Sequence, residues 1–211
     1  MYAPKSFREE RLPVLHDFIR ANAFAAVVSA GFEELEASHV PLILDQGVGE
    51  LGVLRGHLSR ANRHWEQLRT SVALAIFQGP HAYVSPSWYP SKQEHGRVVP
   101  TWDYLAVHAR GAVRTFDDAP SLRALLEALT NQYESQRDAP WKVGDAPDDY
   151  TANAMRGIVG FEIAMARIEG VWKMSQNRPP ADRAGVVEGL REGSPMDREV
   201  ADWVELLGEE K

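Results

Sequence analysis

The stretch Gly47-Val48-Gly49-Glu50-Leu51-Gly52-Val53-Leu54-Arg55-Gly56-His57-Leu58-Ser59-Arg60-Ala61-Asn62 decides the fold class. Its first six residues are a literal G-x-G-x-x-G, the pattern of a dinucleotide-binding turn. Such a turn must open a helix inside a βαβ unit, because the helix N-terminus carries the pyrophosphate. Here the residues from Leu51 to Leu58 read as another strand, so the glycines are read as a hairpin turn and the Rossmann reading is rejected. The second half ends that strand and starts a short helix over 61–69. Free amides at the helix start, with Ser59, Arg60 and Asn62, can hold a phosphate, and Gly56 lets backbone approach a ligand closely. Ser and Asn cap ordinary helices equally well, so both readings stand.

Working outward, Leu12, Leu15, Phe18 and Ile19 recur at helical spacing over 9–22, and strands are expected at 24–29 and 36–44. Downstream, strands are expected at 72–77 and 82–84, then a proline-rich loop carrying Trp88 and Tyr89, then a long strand at 104–113. Asp117-Asp118-Ala119-Pro120 starts a helix with the stripe Leu122, Leu125, Leu126 and Leu129. A short helix at 150–155 and a strand at 161–174 follow. Ile163, Met165 and Ile168 break that strand's alternation once, which marks a bulge. Pro179-Pro180 opens an amphipathic helix ending near Arg191, and Ser194-Pro195 supplies the cap and first-turn proline of a last one. Strands dominate the middle and helices flank them, the pattern of an α+β fold.

The chain has 211 residues and 44% hydrophobic content, enough for one domain with a real core. We expect that domain over 1–178, with a helical extension over 179–211 packed on it. There is no cysteine, which excludes disulfides, thiolate zinc sites and thiol catalysis. Neither a signal peptide nor a membrane-spanning run is read, so a cytoplasmic protein without membrane partners is expected. The net charge of -7 disfavours broad, sequence-independent DNA binding. Against that balance, Arg55, Arg60, Arg63 and Arg69 fall together with only Glu66 opposing them. A small anion site and a solvated helix face both fit, and Arg63 and Arg69 are read as solvated or ion-paired. The histidines form no H-E-x-x-H or related spacing, so no metal site is assigned. P-loop and G-x-S-x-G patterns are missing too.

The string Gly-His-Leu-Ser-Arg-Ala-Asn at 56–62 resembles the corresponding stretch of the PaiB-like FMN-binding negative transcriptional regulators. So do Ala75-Ile76-Phe77-Gln78-Gly79-Pro80-His81-Ala82-Tyr83-Val84-Ser85-Pro86-Ser87-Trp88-Tyr89 and Val99-Pro100-Thr101-Trp102-Asp103-Tyr104. The opening Met1-Tyr2-Ala3-Pro4 and the late Lys173-Met174-Ser175-Gln176-Asn177-Arg178 add to the likeness. That family belongs to the FMN-binding split barrels, which include pyridoxamine-phosphate oxidase and flavin reductases. The resemblance implies a six-stranded antiparallel split β-barrel with flanking helices and a C-terminal helical tail. It also implies a homodimer, with FMN as the cofactor in a cleft between subunits. Carried over by position, Ser59, Arg60 and Asn62 meet the FMN phosphate, with His57 close by. Thr101 and Trp102 meet the isoalloxazine or ribityl chain, and the strand with His39 and Pro41 lines the ring. Lys173, Ser175 and Gln176 are further cleft candidates, from the same or the opposite subunit.

The function so implied is negative transcriptional regulation, with a DNA operator as a possible partner. The sequence offers no clear helix-turn-helix, and Asp197, Glu199, Asp202 and Glu205 line the last helix, which is poor for reading DNA. Two alternatives stay open: a flavin-dependent oxidoreductase using NAD(P)H or a small substrate, and a haem-binding split-barrel protein.

Overall fold

The computed structural model describes residues 1–31 and 34–209. After a 3-10 turn at Lys5–Phe7, the chain forms β1 (Arg8–Glu9), α1 (Leu12–Ala21), β2 (Phe24–Ala30), β3 (Leu35–Pro41), β4 (Ile43–Asp45) and β5 (Val53–Ser59). Then come α2 (His64–Leu68), β6 (Val72–Val84), a 3-10 turn at Pro86–Trp88, α3 (Ser91–His95) and β7 (Thr101–Phe116). The remainder is α4 (Ala119–Glu134), a 3-10 turn at Val143–Asp145, α5 (Asp148–Arg156), β8 (Ile158–Lys173), α6 (Pro180–Arg191) and α7 (Pro195–Glu209). The strands join in the order β3-β2-β6-β7-β8-β5-β4, with β1 added to β8. Every pair with an assigned register is antiparallel.

The glycine-rich stretch is a hairpin turn. Ile43 pairs with Arg55 and Asp45 with Val53, and the Asp45 carboxylate accepts from the Gly47 amide at 3.2 Å. Gly49 at φ 73° and Gly52 at φ 96° carry the left-handed backbone that the turn needs.

Among the described residues, six strands of seven or more residues match the six that the resemblance implies, and two short ones, β1 and β4, are additional. The strand expected over 36–44 ends at Pro41, and β4 starts beyond Leu42. A proline has no N–H to give a ladder, so a break there is cheap. The start of the first predicted helix pairs instead with β8, Arg8 opposite Val171 and Glu9 opposite Gly170. The two strands expected at 72–77 and 82–84 are one strand. Pro80 lies beyond the 73–76 segment that pairs with β2, so it leaves no gap in that ladder. In β8 the burial alternation breaks at Ala166 and Arg167, which are both exposed.

The chain divides into two compact units, and β6, β7 and β8 each run through both. One unit takes residues 12–77 and 108–168. Its interior is filled by Leu15, Ile19, Val27, Leu54, Leu68, Phe77 and Phe161, and by a cluster of Phe116, Leu122, Leu125, Leu129 and Met155 under the leucine face of α4. The other takes residues 1–11, 78–107 and 169–211, with Val84, Tyr89, Leu105, Met174, Val186, Leu190, Val200 and Val204 inside. In that unit α6 and α7 pack together. A reciprocal cap starts α7: Ser194 Oγ accepts from the Asp197 amide at 3.2 Å, and Asp197 accepts from the Ser194 amide at 2.8 Å.

Candidate functional site

In the first unit, β5 alternates. Leu54, Gly56 and Leu58 are buried on one face, so Arg55, His57 and Ser59 share the other. Arg55 is ion-paired with Asp45. His57 lies opposite Gly160 of β8, a position where any side chain would run into the Phe116 ring. The His57 Nδ1 atom is buried without a hydrogen-bond partner, and burial pulls the imidazole pKa below its ordinary value, so the ring is neutral near pH 7.

The turn after Ser59 is tied down by its own chain. The Arg60 amide donates to Gly157 O at 2.8 Å, the Ala61 amide to Ser59 Oγ at 3.3 Å and the Asn62 amide to Ser59 O at 2.9 Å. The free amides expected here are therefore spent, because the turn closes on itself and on the end of α5. The Arg60 guanidinium reaches Arg156 O through Nε at 3.1 Å, and Ile158 O and Asp117 through Nη2 at 3.2 Å each. Asn62 acts as a helix-start residue: its Oδ1 accepts from the His64 amide at 3.1 Å, and its Nδ2 donates to Ser38 Oγ at 2.9 Å. Three groups keep spare capacity among the described residues: the Arg60 Nη1 group, the Ser59 hydroxyl proton and His57 Nδ1.

Behind the turn is a buried cluster that sequence reasoning missed. His64 Nδ1 meets Ser38 Oγ and Nε2 meets Ser29 Oγ, each at 2.9 Å, and Gln67 Nε2 donates to Ser29 Oγ at 2.9 Å. Burial lowers the His64 pKa, with Glu36 opposing. Polar residues at 29 and 38, on the inward phase of two strands, were the available signal. Their neighbour His39 points the other way and stacks on Phe24 at 6.1 Å between ring centroids, with Pro41 paired opposite Phe24.

In the second unit, Thr101, Trp102, Lys173 and Ser175 form one network. Its centre, Asp103, was not anticipated. Lys173 Nζ donates to Thr101 Oγ1 at 2.7 Å and to Trp102 O, and lies 3.4 Å from Asp103 Oδ1. Asp103 is fully buried and also accepts from Ser175 Oγ at 2.6 Å. Burial raises its pKa, against the lowering by Ser175 and Lys173. A carboxylate in phase with the buried Leu105, Val107 and Ala109 of β7 was the clue to it. Gln176 is not in the network, since it bonds the Met174 amide and Trp172 O. The Trp102 indole is half exposed, 5.6 Å from the His81 ring and edge-on to Tyr83 at 6.3 Å. Trp88 has a packing role, lying against Gly185 and Gly189 of α6.

This fold is that of a split barrel. It is shared with the FAD and heme binding protein from Mycobacterium smegmatis, at a TM-score of 0.56 and 16% identity over 79% of this chain and 73% of that one. The chain belongs to the FMN-binding family whose model, described as "Putative FMN-binding domain", matches residues 1–167. Its relatives include "Protease synthase and sporulation protein PAI 2" of Bacillus subtilis, 32% identical over 97% of both chains. An uncharacterized protein of Emericella nidulans is 33% identical over 100% of this chain and 99% of its own. The PaiB-like resemblance read from residues 56–62 and 75–89 therefore holds, and FMN is the cofactor of the family. Among the described residues, no helix is long and apolar enough to cross a membrane.

Proposed function

We propose that this protein is an FMN-binding homodimer acting as a PaiB-like negative transcriptional regulator, with the flavin as its functional ligand. The observation that carries the reading is the set of unspent groups at the end of β5, His57 Nδ1, Ser59 O–H and Arg60 Nη1, in a chain of an FMN-binding family. Ser59 and Arg60 hold the phosphoryl group, and Asn62 shapes the turn through Ser38 and His64. A guanidinium suits this task because its planar fork matches phosphate oxygens. Within its own unit, the half-exposed Trp102, with His81 and Tyr83 and next to Thr101, presents an aromatic surface of the kind an isoalloxazine stacks on. His39 and Pro41, beside Phe24, present a second apolar surface of that kind. Lys173 holds the Trp102 carbonyl, Ser175 holds the Asp103 carboxylate, and Gln176 orders the turn after β8. When bound, FMN supplies the redox chemistry, and the protein supplies orientation and electrostatics.

The regulatory part of the reading rests on the Bacillus relative, whose name speaks of protease synthase and sporulation. With a net charge of -7, the chain is poorly suited to a broad surface for the DNA backbone, so any operator contact is local. The visible spectrum of the purified protein during FMN titration tests the first part. Saturable binding by a dimer in light scattering supports it, and no binding at millimolar FMN sinks it. A salt-dependent, operator-selective gel shift supports the second part. Flavin bleaching by NADH or NADPH would move the protein to the oxidoreductase class instead.

A further inference from the structure

Of the four clustered arginines, three are claimed by their own chain. Arg55 pairs with Asp45, Arg63 with Glu66 at 2.8 Å, and Arg60 with Asp117 and two carbonyls. Arg69 differs. Among the described residues its guanidinium has no hydrogen bond or ion pair, and it rests over the Trp65 ring at 5.8 Å from the centroid. Arg60 flanks the same ring at 6.0 Å, and the Trp65 indole N–H donates to Arg60 O at 3.1 Å, so the ring is held in place. Arg69 and Trp65 open onto a pocket of about 230 Å³ that Thr115, Phe116, Asp117 and Val159 complete.

The charges around this pocket leave one cation over. The Asp117 carboxylate is offset by Arg60 at 3.2 Å, and Glu66 is held by Arg63 and also feels the Arg69 charge, so two carboxylates stand among three guanidinium groups. A guanidinium stacked on an indole has its in-plane N–H donors directed outward, the arrangement that accepts two oxygens of an anion. Phe116 and Val159 give an apolar wall, and Thr115 a hydroxyl. We propose that this pocket is a binding site for a small oxyanion, a carboxylate or a phosphate, held by Arg69 against Trp65. It does not rest on the assignment of Ser59 and Arg60 to the flavin.

The Trp65 indole N–H resonance, identified by its loss in Trp65→Phe, reports on the site. The full-length protein would be titrated with sodium benzoate, inorganic phosphate, FMN and riboflavin against chloride at matched ionic strength. We expect a saturable shift with an oxyanion, and a dissociation constant raised about tenfold or more in Arg69→Gln. Arg69 is exposed, its guanidinium makes no hydrogen bond among the described residues, and its backbone amide bond to Trp65 O survives the change, so that variant keeps the fold; Thr115→Val gives a second perturbation of the pocket. A response to FMN but not to riboflavin identifies the flavin phosphoryl as the occupant, and a tighter response to benzoate identifies a carboxylate. A shift no larger than chloride produces, or one equal in Arg69→Gln, overturns the proposal. Flavin fluorescence, followed in parallel, reports loss of FMN binding separately.

Discussion

The Ser175 hydroxyl donates to the Asp103 carboxylate at 2.6 Å, and both side chains are buried. Ser175 sits at φ 56°, the only non-glycine residue with a positive φ among those described. A serine held in the left-handed region costs about 1 kcal/mol or more, so the bond to Asp103 must more than offset that strain. Ser175→Ala removes the bond, keeps the strain and leaves a buried carboxylate oxygen short of a donor. It should lose about 1–3 kcal/mol. Ser175→Gly also loses the bond but relieves the backbone, and should lose less. Equal losses in denaturant melts would show that the backbone geometry carries no cost here.

Asp103 has a pH signature of its own. Burial raises its pKa above the ordinary 3.8, so the native state holds the proton where the unfolded chain has released it. The folded form then binds more protons than the unfolded form between 3.8 and the raised value, and stability falls as pH climbs through that window. Denaturant midpoints from pH 4 upward should show the native protein losing ground relative to Asp103→Asn. A constant difference between the two would remove the assignment.

His64 works in the opposite direction. Burial lowers its pKa from 6.5, so the unfolded chain takes up a proton first as the solution is acidified. Its contribution is intact above 6.5 and is lost as pH falls toward the folded value. Between pH 7.5 and 5.5 the native protein should therefore lose Tm faster than His64→Gln, although the variant starts lower because Ser29 and Ser38 lose their imidazole partner.

These polar centres mark where sequence reading stopped. Periodicity and turn chemistry are local, so α1, the hairpin at Gly49 and Gly52, and the cap of α7 were legible from neighbouring residues. The phosphate reading of 59–62 was legible as a set of residue types, but not the closure of its amides on Gly157 and Ser59, because Gly157 is distant in sequence. Asp103 and Lys173 are seventy residues apart, and His64, Ser29 and Ser38 come from three elements. Side chains that meet only through strand pairing leave no spacing to recognise. Arg69 was read as solvated or paired, and the structure distinguishes it from Arg63 through the Trp65 ring beneath it and the carboxylate that Arg63 holds.

Trp88 tests the packing of α6. A Cβ at Gly189 would come within 2.3 Å of the Trp88 ring, and one at Gly185 within 2.0 Å of the Trp88 carbonyl oxygen. A ring can tilt, whereas a carbonyl moves only with its backbone. Gly189→Ala should therefore cost about 1–3 kcal/mol as ordinary overpacking, and Gly185→Ala more. The reverse order in thermal melts would mean that the Pro86–Trp88 turn yields more easily than the ring does.

The flavin assignment is tested by separating what Arg60 does for the fold from what it does for a ligand. Its Nε and Nη2 atoms join the β5 turn to Arg156, Ile158 and Asp117, so Arg60→Ala confounds the two. Ser59→Ala removes only a hydroxyl that accepts one weak amide bond. If that hydroxyl meets the phosphoryl group, Ser59→Ala should weaken FMN by about ten- to a hundredfold, the worth of one hydrogen bond to a charged group, with little change in Tm. Arg60→Lys keeps the charge but loses the fork, so FMN should weaken about tenfold or more while Tm drops by a few degrees. Riboflavin lacks the phosphoryl group and should bind both variants as it binds the native protein. If riboflavin weakened in step with FMN, these residues would be acting on the ring or on the fold, and the phosphoryl group would have to be held elsewhere.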